Sequence, residues 1–456
     1  MASPILNCPT DVLHLILKPL AQADLAALCL TCAGLGAVAK PLLYSNIQWT
    51  WTVKNRTIPI VRLLQTIMHR PELADLIQNV HLSGSDFEPS PTYHKNPNPL
   101  LQVSHIDVKK MVQCVQGMNI PYGDLWTEGL TSGNMDAFVA LLLSQLPNLR
   151  SLCMQPNFTR KSHLVGMVIR SALCDEGRPF RTRFEHLRKV YAVYPRLGIY
   201  IRRVTDARNT TDVLPFFYLP SIEYLTTSID NPLTALGWPA RHPPNALKLQ
   251  SLDVSMIREG HLRELLLVTS RLQQLKWSWY YRPDLADPWV TDIIDLEKIT
   301  AALSIVETLT DVTIDASADM SQAETDFPPL TVKGIGRFRS LRNLKRLQAP
   351  LPFLLGFQPD EPSALLAEVL PRSIEVLTIT DALYLQSEWE WSDMDLLQAL
   401  SLWLQDWKSS TPCLKRFHLF LELTDSMEWG PEMRERLKDL GARAGIAIEI
   451  TKAGGR

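Results

Sequence analysis

The sequence predicts an α/β protein in which a short module of three helices precedes a long array of alternating strands and helices. The pattern apolar-x-x-apolar-x-apolar recurs ten times after residue 76, with amphipathic helical segments between successive copies. The 456 residues also exceed the size at which one compact core usually keeps growing. A single strand and helix cannot bury their own apolar face, so we expect stacked units that share one core, as in a solenoid.

Composition excludes several classes of protein. Lys and Arg number 46 against 48 Asp and Glu, so no global field attracts nucleic acid or an anionic membrane. Seven scattered cysteines indicate reduced thiols, which fits a cytoplasmic or nuclear location or both. No apolar run is long enough to cross a bilayer, and the first twenty residues lack a secretory signal pattern. We expect neither nucleic acid nor membrane among its partners.

The first module occupies residues 1–48. Thr10 or Asp11 can cap its first helix, a second helix is predicted over Ala23 to Cys32, and a third over Leu35 to Leu43. Apolar residues in the first helix recur at three-and-four spacing. Three helices in under fifty residues cannot bury this surface among themselves, so part of it should face a partner.

One set of residues in this module carries a family likeness: Pro9-Thr10-Asp11-Val12-Leu13, Ile16, Leu20, Asp24-Leu25, Leu28, Leu30, Cys32, Leu35, Leu42-Leu43-Tyr44 and Ile47. They resemble the F-box of fungal proteins. Cys8 replaces the usual leucine before the proline, and Leu35 stands where many animal F-boxes have tryptophan.

The resemblance implies that the module binds a Skp-type adaptor and so joins a cullin-RING ubiquitin ligase of the SCF type. The residues that it assigns to adaptor contact are Pro9, Val12, Leu13, Ile16, Leu20, Leu25 and Leu28. The alternative is that these side chains only pack the three helices together.

Residues 49–75 are interpreted as a helical linker, with a helix around Ile60 to Met68, and residues 76–451 as the repeat domain. The final two apolar positions of each copy alternate, as a half-buried strand requires. The copies are Ile77, Val80, Leu82; Leu149, Leu152, Met154; Leu187, Val190, Ala192; Ile222, Leu225, Thr227; Leu249, Leu252, Val254; Leu272, Leu275, Trp277; Leu309, Val312, Ile314; Leu344, Leu347, Ala349; Ile374, Leu377, Ile379; and Leu414, Phe417, Leu419.

The repeat domain resembles the leucine-rich repeats of F-box proteins, although nearly every copy lacks the usual asparagine. Ser83 to Pro99 and Ala316 to Lys333 are predicted to be inserted surface loops.

Strand residues between the core positions should face the concave side of the array, where a target protein would bind. The candidate partner-binding residues are Tyr191, Asp253, Lys276, Ser278, Asp315 and His418, with Thr226, Thr313, Gln348 and Thr378 on the same side. The alternative is an ordinary solvated sheet surface. Trp277 is expected in the core, whereas Trp279, Tyr281, Trp389 and Trp391 are candidates for partly exposed interface anchors.

No local motif predicts catalysis, a cofactor or a metal. Gly334-Ile335-Gly336 lacks the rest of a phosphate-binding loop, and Cys29 and Cys32 have no second pair of ligands nearby. A catalytic triad assembled from distant residues stays open.

The leading interpretation is a non-catalytic receptor subunit of a ubiquitin ligase. A scaffold or regulatory F-box protein that spares its partner is the alternative, and an enzyme with a helical N-terminal extension ranks third.

Overall fold

A computed structural model provides the structure of the chain. It describes residues 8–56, 58–87, 99–103, 108–159, 162–175, 180, 182–193, 209–282, 287–318, 328–359, 365–421 and 429–452. The chain divides into two compact units: residues 1–201 with 211–222 form the first, and residues 202–210 with 223–456 form the second.

The first unit opens with three short helices, α1 (Thr10–Leu17), α2 (Gln22–Cys29) and α3 (Ala33–Ser45). Their shared core centres on Leu17, Leu25 and Ala39, which are almost fully buried. Gly36 permits close packing of α3 on α2, because a Cβ there would lie 3.2 Å from the carbonyl oxygen of Cys29. The three predicted helices are therefore present, with boundaries shifted by a few residues.

Four parallel strands form the sheet of the first unit: β1 (Asn46–Thr50), β2 (Asn79–Ser83), β3 (Ser151–Met154) and β4 (Lys189–Ala192). Its remaining helices are α4 (Ile60–His69), α5 (Lys109–Gly117), α6 (Gly123–Ser132), α7 (Met135–Ser144), α8 (Pro156–Thr159), α9 (His163–Leu173), α10 (Thr210–Val213) and the 3-10 helices Pro71–Leu76 and Leu214–Tyr218. The helix predicted around Ile60 to Met68 is α4.

The second unit repeats the same alternation. Its strands are β5 (Tyr224–Ser228), β6 (Ser251–Ser255), β7 (Gln274–Tyr281), β8 (Ile293–Asp295), β9 (Asp311–Ala318), β10 (Thr331–Lys333), β11 (Arg346–Pro350), β12 (Val376–Thr380), β13 (Arg416–Leu421) and β14 (Ala447–Lys452). Eight of them pair in parallel in the order β5, β6, β7, β9, β11, β12, β13, β14, and β8 pairs separately with β10. The helices are α11 (Glu259–Leu267), α12 (Leu296–Leu303), α13 (Leu351–Leu355), α14 (Leu366–Val369), α15 (Asp393–Gln405), α16 (Trp407–Ser410), α17 (Pro431–Ala444) and the 3-10 helix Phe338–Ser340.

The predicted repeat pattern coincides with these strands. The last two apolar positions of all ten copies lie in β2 to β7, β9 and β11 to β13, and the first position of every copy is buried. Equivalent positions lie in register, so that Leu252, Leu275 and Val312 form one continuous apolar row. The prediction of an α/β architecture with alternating strands and helices is confirmed, and the strands pair in parallel.

Four of the strands were not predicted: β1, β8, β10 and β14. Residues Asn46–Thr50, at the junction of the predicted module and linker, form β1, and residues Ala447–Lys452 form β14. Most of the two predicted insertions, residues 88–98 and 319–327, lies outside the described residues. The end of the second insertion is not a loop, because Thr331–Lys333 forms β10 and pairs with β8.

Candidate functional site

Apolar side chains project from the first helix into solvent. Val12, Leu15 and Ile16 are 42%, 70% and 46% exposed on α1, and Leu20 just beyond it is 36% exposed. We call these four residues the N-terminal stripe. Large apolar side chains bury favourably, each by about 1.5 to 3 kcal/mol when fully covered. The stripe is therefore a candidate contact for another protein.

Two of the residues assigned to adaptor contact lie on the buried sides of α1 and α2. Leu13 and Leu25 are only 6% and 4% exposed. Both side chains are buried, Leu25 in the core of the module, so little of either is exposed for adaptor contact. About 100° around the helix axis separates Leu13 from the exposed Val12, at 3.6 residues per turn. Leu28 is partly buried against the core. Pro9, Val12, Ile16 and Leu20 remain on the surface.

Leu15 and Leu30 belong to the exposed surface although sequence reasoning did not assign them to it. Leu30 follows α2 and is 88% exposed. Leu15 lies three residues after Val12, a spacing that places both on one face of a helix. The same periodicity that identified Val12 and Ile16 could have identified Leu15.

A second candidate surface is the polar face of the second unit's sheet, formed by strand residues that alternate with the core rows. One cross-strand row on this face runs through Thr226, Asp253, Lys276, Thr313, Gln348, Thr378, His418 and Glu449. Ser278 and Asp315 are directly opposite each other one row further along. Strand alternation thus brings five of the six candidate partner-binding residues onto one face.

Ion pairs cross this polar face between neighbouring strands. Lys276 Nζ lies 3.3 Å from Asp315 Oδ2, and Arg346 pairs with Asp311. Lys345 and Lys415 both contact Glu375, at 3.6 and 2.6 Å. The hydrogen bond from Lys415 lowers the pKa of the Glu375 carboxyl, which stays charged.

Charge is distributed unevenly along the polar face. Asp253, Asp311 and Asp315 lie on β6 and β9. A cationic group, which comprises Lys345, Arg346, Lys415 and Arg416, lies at the starts of β11 and β13. Glu375 pairs with the two lysines, and Asp311 pairs with Arg346. A target with complementary charges would meet groups of both signs on one surface.

His418 and Thr378 occupy the more sheltered part of this row. The Nε2 atom of His418 lies 2.7 Å from Thr451 Oγ1, and burial lowers the pKa of the imidazole. His418 is therefore mainly neutral near pH 7. Thr378 is only 9% exposed, so it contributes little contact area.

Tyr191, the sixth candidate, belongs to the sheet of the first unit. It shares a cross-strand row with Gln48, His81 and Cys153. Tyr191 is 40% exposed. Tyrosine offers a large contact area and a hydroxyl group, so this row is a further candidate contact surface of the first unit.

The aromatic candidates are mostly buried. Trp277 lies in the core, as expected, but Trp279, Tyr281 and Trp391 are each 5% exposed or less. The expectation of partial exposure was wrong for these three, because β7 continues to Tyr281 and Trp391 donates its indole N–H to the Gly356 carbonyl. Only Trp389 of this group is half-buried.

Within the described ranges, no cluster of three or more His, Cys, Asp or Glu side chains could hold a metal ion. No helix in the same ranges has the length and apolar character needed to span a membrane.

Comparison with known families gives one match. A family model for the leucine-rich repeat domain matches residues 52–452, which include all of the strands from β2 to β14. The match begins after α1, α2 and α3. No curated protein matches the chain in sequence.

Proposed function

Because the chain belongs to the leucine-rich repeat domain family, whose repeats suggest a protein-interaction module, we propose that it is a receptor subunit of an SCF-type cullin-RING ubiquitin ligase. The α1–α3 module docks a Skp-type adaptor, and the repeat strands bind a target protein. Other subunits of the ligase transfer ubiquitin, and the chain itself performs no catalysis. Its place of action is the cytoplasm, the nucleus or both.

The observation that carries this proposal is the exposure of the N-terminal stripe. Val12 and Ile16 lie one helical turn apart on the same face of α1, and both are more than two-fifths exposed. The inner side of the module already has a closed core around Leu17 and Leu25. The stripe is therefore surplus apolar surface, and the likeness of the surrounding residues to an F-box supports a Skp-type adaptor as the protein that covers it.

The polar face of the repeat strands supports the second half of the proposal. Strands of a repeat array offer a broad surface made of many side chains, which suits recognition of a folded protein. The face combines exposed cations with carboxylates, and charge complementarity governs specificity and association rate more than affinity. We therefore assign target selection to Asp253, Lys276 and Asp315 and to the cationic group on β11 to β13.

The adaptor contact is tested by co-purification from cells. The double variant Ile16→Asp, Leu20→Asp places two charges in the stripe and should abolish recovery of a Skp-type adaptor. Leu125→Asp is the matched control, since Leu125 lies on α6 and is 46% exposed, as Ile16 is. Recovery should survive that change. Equal recovery with all three proteins would defeat the proposal.

A scaffold that spares its partner is the alternative function, and turnover distinguishes it from a receptor. Proteins that bind the repeat domain are identified by proximity labelling in cells that carry the Ile16→Asp, Leu20→Asp chain. A receptor predicts that its targets accumulate in those cells, and that proteasome inhibition raises them to the same level in cells with the natural chain. Partner levels that do not change under either condition indicate a scaffold.

A further inference from the structure

The last strand of the second unit, β14, has a sheet partner on one side. It pairs with β13 through residues Ala447 to Lys452, and no other described strand pairs with it. Six residues is about the usual length of a complete strand. An edge of this length presents a row of unpaired backbone N–H and C=O groups and is a template for another strand.

Apolar side chains are less completely buried on β14 than on β13. Ile448 and Ile450 lie in register with Phe417 and Leu419 on β13, and those two partners are at most 1% exposed. Ile448 and Ile450 are only half-buried, although α17 packs over this strand. The core row therefore continues to the edge and is incompletely covered there.

The edge strand of the first unit, β1, is partly covered by a side chain. The Nε2 group of Gln22 on α2 donates to the carbonyl oxygen of Asn46 in β1 over 2.7 Å. The helical module thus covers part of the β1 edge. No comparable side chain reaches the β14 edge among the hydrogen bonds of the described residues.

The direction of the free backbone groups can be read from one hydrogen bond. The N–H of Ala447 donates to the Lys415 carbonyl over 3.0 Å, so it points toward β13. Backbone groups alternate in direction along a strand. Ala447, Glu449 and Thr451 therefore bond to β13, and Ile448, Ile450 and Lys452 direct their N–H and C=O groups outward.

We propose that β14 is a self-association edge, at which it pairs antiparallel with β14 of a second copy about a two-fold axis centred on Ile450. In this register Ile450 lies opposite its counterpart, and Ile448 lies opposite Lys452 of the other copy. All of these residues direct their backbone groups outward, so each of the three pairs exchanges two hydrogen bonds. Facing side chains also share the same side of the joined sheet, which continues the Ile450 core row across the axis.

Repulsion between like charges favours this register over the adjacent one, which is centred on Glu449. Centring the axis on Glu449 would also match the faces of the two strands, but it would place two Glu449 side chains opposite each other with Cα atoms about 4.5 Å apart. Like charges directly opposite destabilise a sheet. The Ile450 register places Glu449 opposite Thr451 instead. The β14 strand of a second copy supplies both the outward backbone groups and the facing apolar side chains. A two-fold contact of this kind closes into a dimer.

The test is sedimentation equilibrium of the full chain over a range of concentrations. The natural chain should form dimers. Ile450→Pro removes an outward N–H without removing a bond to β13, and edge strands tolerate proline. It should raise the dimer dissociation constant at least tenfold. Ile450→Lys keeps the N–H, places two like charges at the axis and should have the same effect, so it decides the matter if the proline variant does not fold.

Glu449→Gln is the control for the register. It should leave the dissociation constant unchanged, whereas tightening would contradict the Ile450 register and favour the one centred on Glu449. A natural chain that stays monomeric throughout would overturn self-association, as would dimers that both Ile450 variants leave intact. Neither outcome bears on adaptor docking, because the N-terminal stripe belongs to the other unit.

Discussion

The guanidinium group of Arg258 uses all five of its N–H groups inside the second unit. It makes a two-pronged pair with the Glu259 carboxylate at 2.8 and 3.0 Å and donates to the carbonyls of Tyr280, Thr291 and Ile293. The Arg258 side chain is fully buried and lies over the Trp279 ring. It thereby joins the end of β7 to the edge of β8.

Replacing Arg258 by lysine should destabilise the protein strongly. Lysine has three donors and no planar fork, so Glu259 and some of the carbonyls lose their partners. Each buried acceptor that is left without a donor costs about 1 to 3 kcal/mol. Chemical denaturation followed by tryptophan fluorescence measures the loss. Arg346→Lys, at an exposed ion pair, should change stability by less than about 1 kcal/mol; equal losses would contradict this account of Arg258.

The carboxyl group of Asp136 is buried at the start of α9. It accepts hydrogen bonds from the N–H groups of Leu164 and Val165 at 2.7 and 3.1 Å, and Asp212 lies close enough to repel its charge. Burial outweighs the two hydrogen bonds and raises the pKa of Asp136 from 3.8 to about 7. The protonated acid therefore predominates in the folded protein only below about pH 7.

Asp136 should make stability depend on pH in a defined window. Because its pKa is higher in the folded state, its contribution is fully present below about pH 4 and is lost as pH rises to about 7. The loss amounts to about 4 kcal/mol at one pKa unit per 1.36 kcal/mol. Denaturation of the natural chain and of Asp136→Asn is compared across this range. A stability difference that does not change with pH would refute the raised pKa.

Neither of these residues was predictable from the sequence as a buried polar group. The carbonyl partners of Arg258 lie 22 to 35 residues downstream, and the partners of Asp136 begin 28 residues downstream. Asp253, Lys276 and His418 were predictable as surface residues, because alternation along a strand fixes which side chains leave the core.

At the scale of elements, the strands that were predicted share an apolar residue three positions before the alternating pair. Strand β14 lacks it, since Gly445 stands three positions before Ile448. Strand β1 was missed because α3 ends at Ser45 and the strand begins at the next residue, so no turn residues separate them. Both strands lie at an edge of their sheet. An edge strand has a neighbour on one side only, so fewer of its positions need apolar residues.

The packing of α17 on β14 depends on Gly441. A Cβ at this position would lie 2.1 Å from Cγ1 of Ile448 and 2.9 Å from the Ile446 carbonyl oxygen. Gly441→Ala should therefore destabilise the chain by about 1 to 3 kcal/mol, because the helix must move away from the strand.

Gly117 provides the matched control for that prediction. It ends α5, and an added Cβ would meet no atom within 4 Å. Gly117→Ala should be neutral or stabilise by up to about 1 kcal/mol, because alanine restricts the unfolded chain. Thermal unfolding measures both variants, and a Gly441→Ala protein as stable as the natural chain would show that α17 does not pack tightly on β14.

At the scale of the whole molecule, the two candidate contact surfaces belong to different parts of the chain. The N-terminal stripe belongs to a helical module with its own small core, and the polar face belongs to repeat strands that share rows of apolar residues. The periodicity of the sequence predicted both the module and the repeats. It could not show which of the module's leucines point inward, because adjacent positions such as Val12 and Leu13 differ only in their direction from the helix axis.

Changes on the polar face should leave adaptor docking intact. Lys276→Glu reverses one charge and also breaks the ion pair with Asp315. Because that pair is exposed, stability should change by less than about 1 kcal/mol. Target recovery by proximity labelling should fall while adaptor recovery stays constant. Loss of both, or of neither, would contradict the assignment of target binding to this face.

The proposed function rests on docking of a Skp-type adaptor at the N-terminal stripe. Titration calorimetry between the purified full chain and the purified adaptor measures this binding. We expect saturable binding that Ile16→Asp weakens by at least about 2 kcal/mol, the loss typical of a central apolar contact, and that Leu125→Asp leaves unchanged. Absence of binding by the natural chain, or equal affinity for the two variants, would contradict the claim.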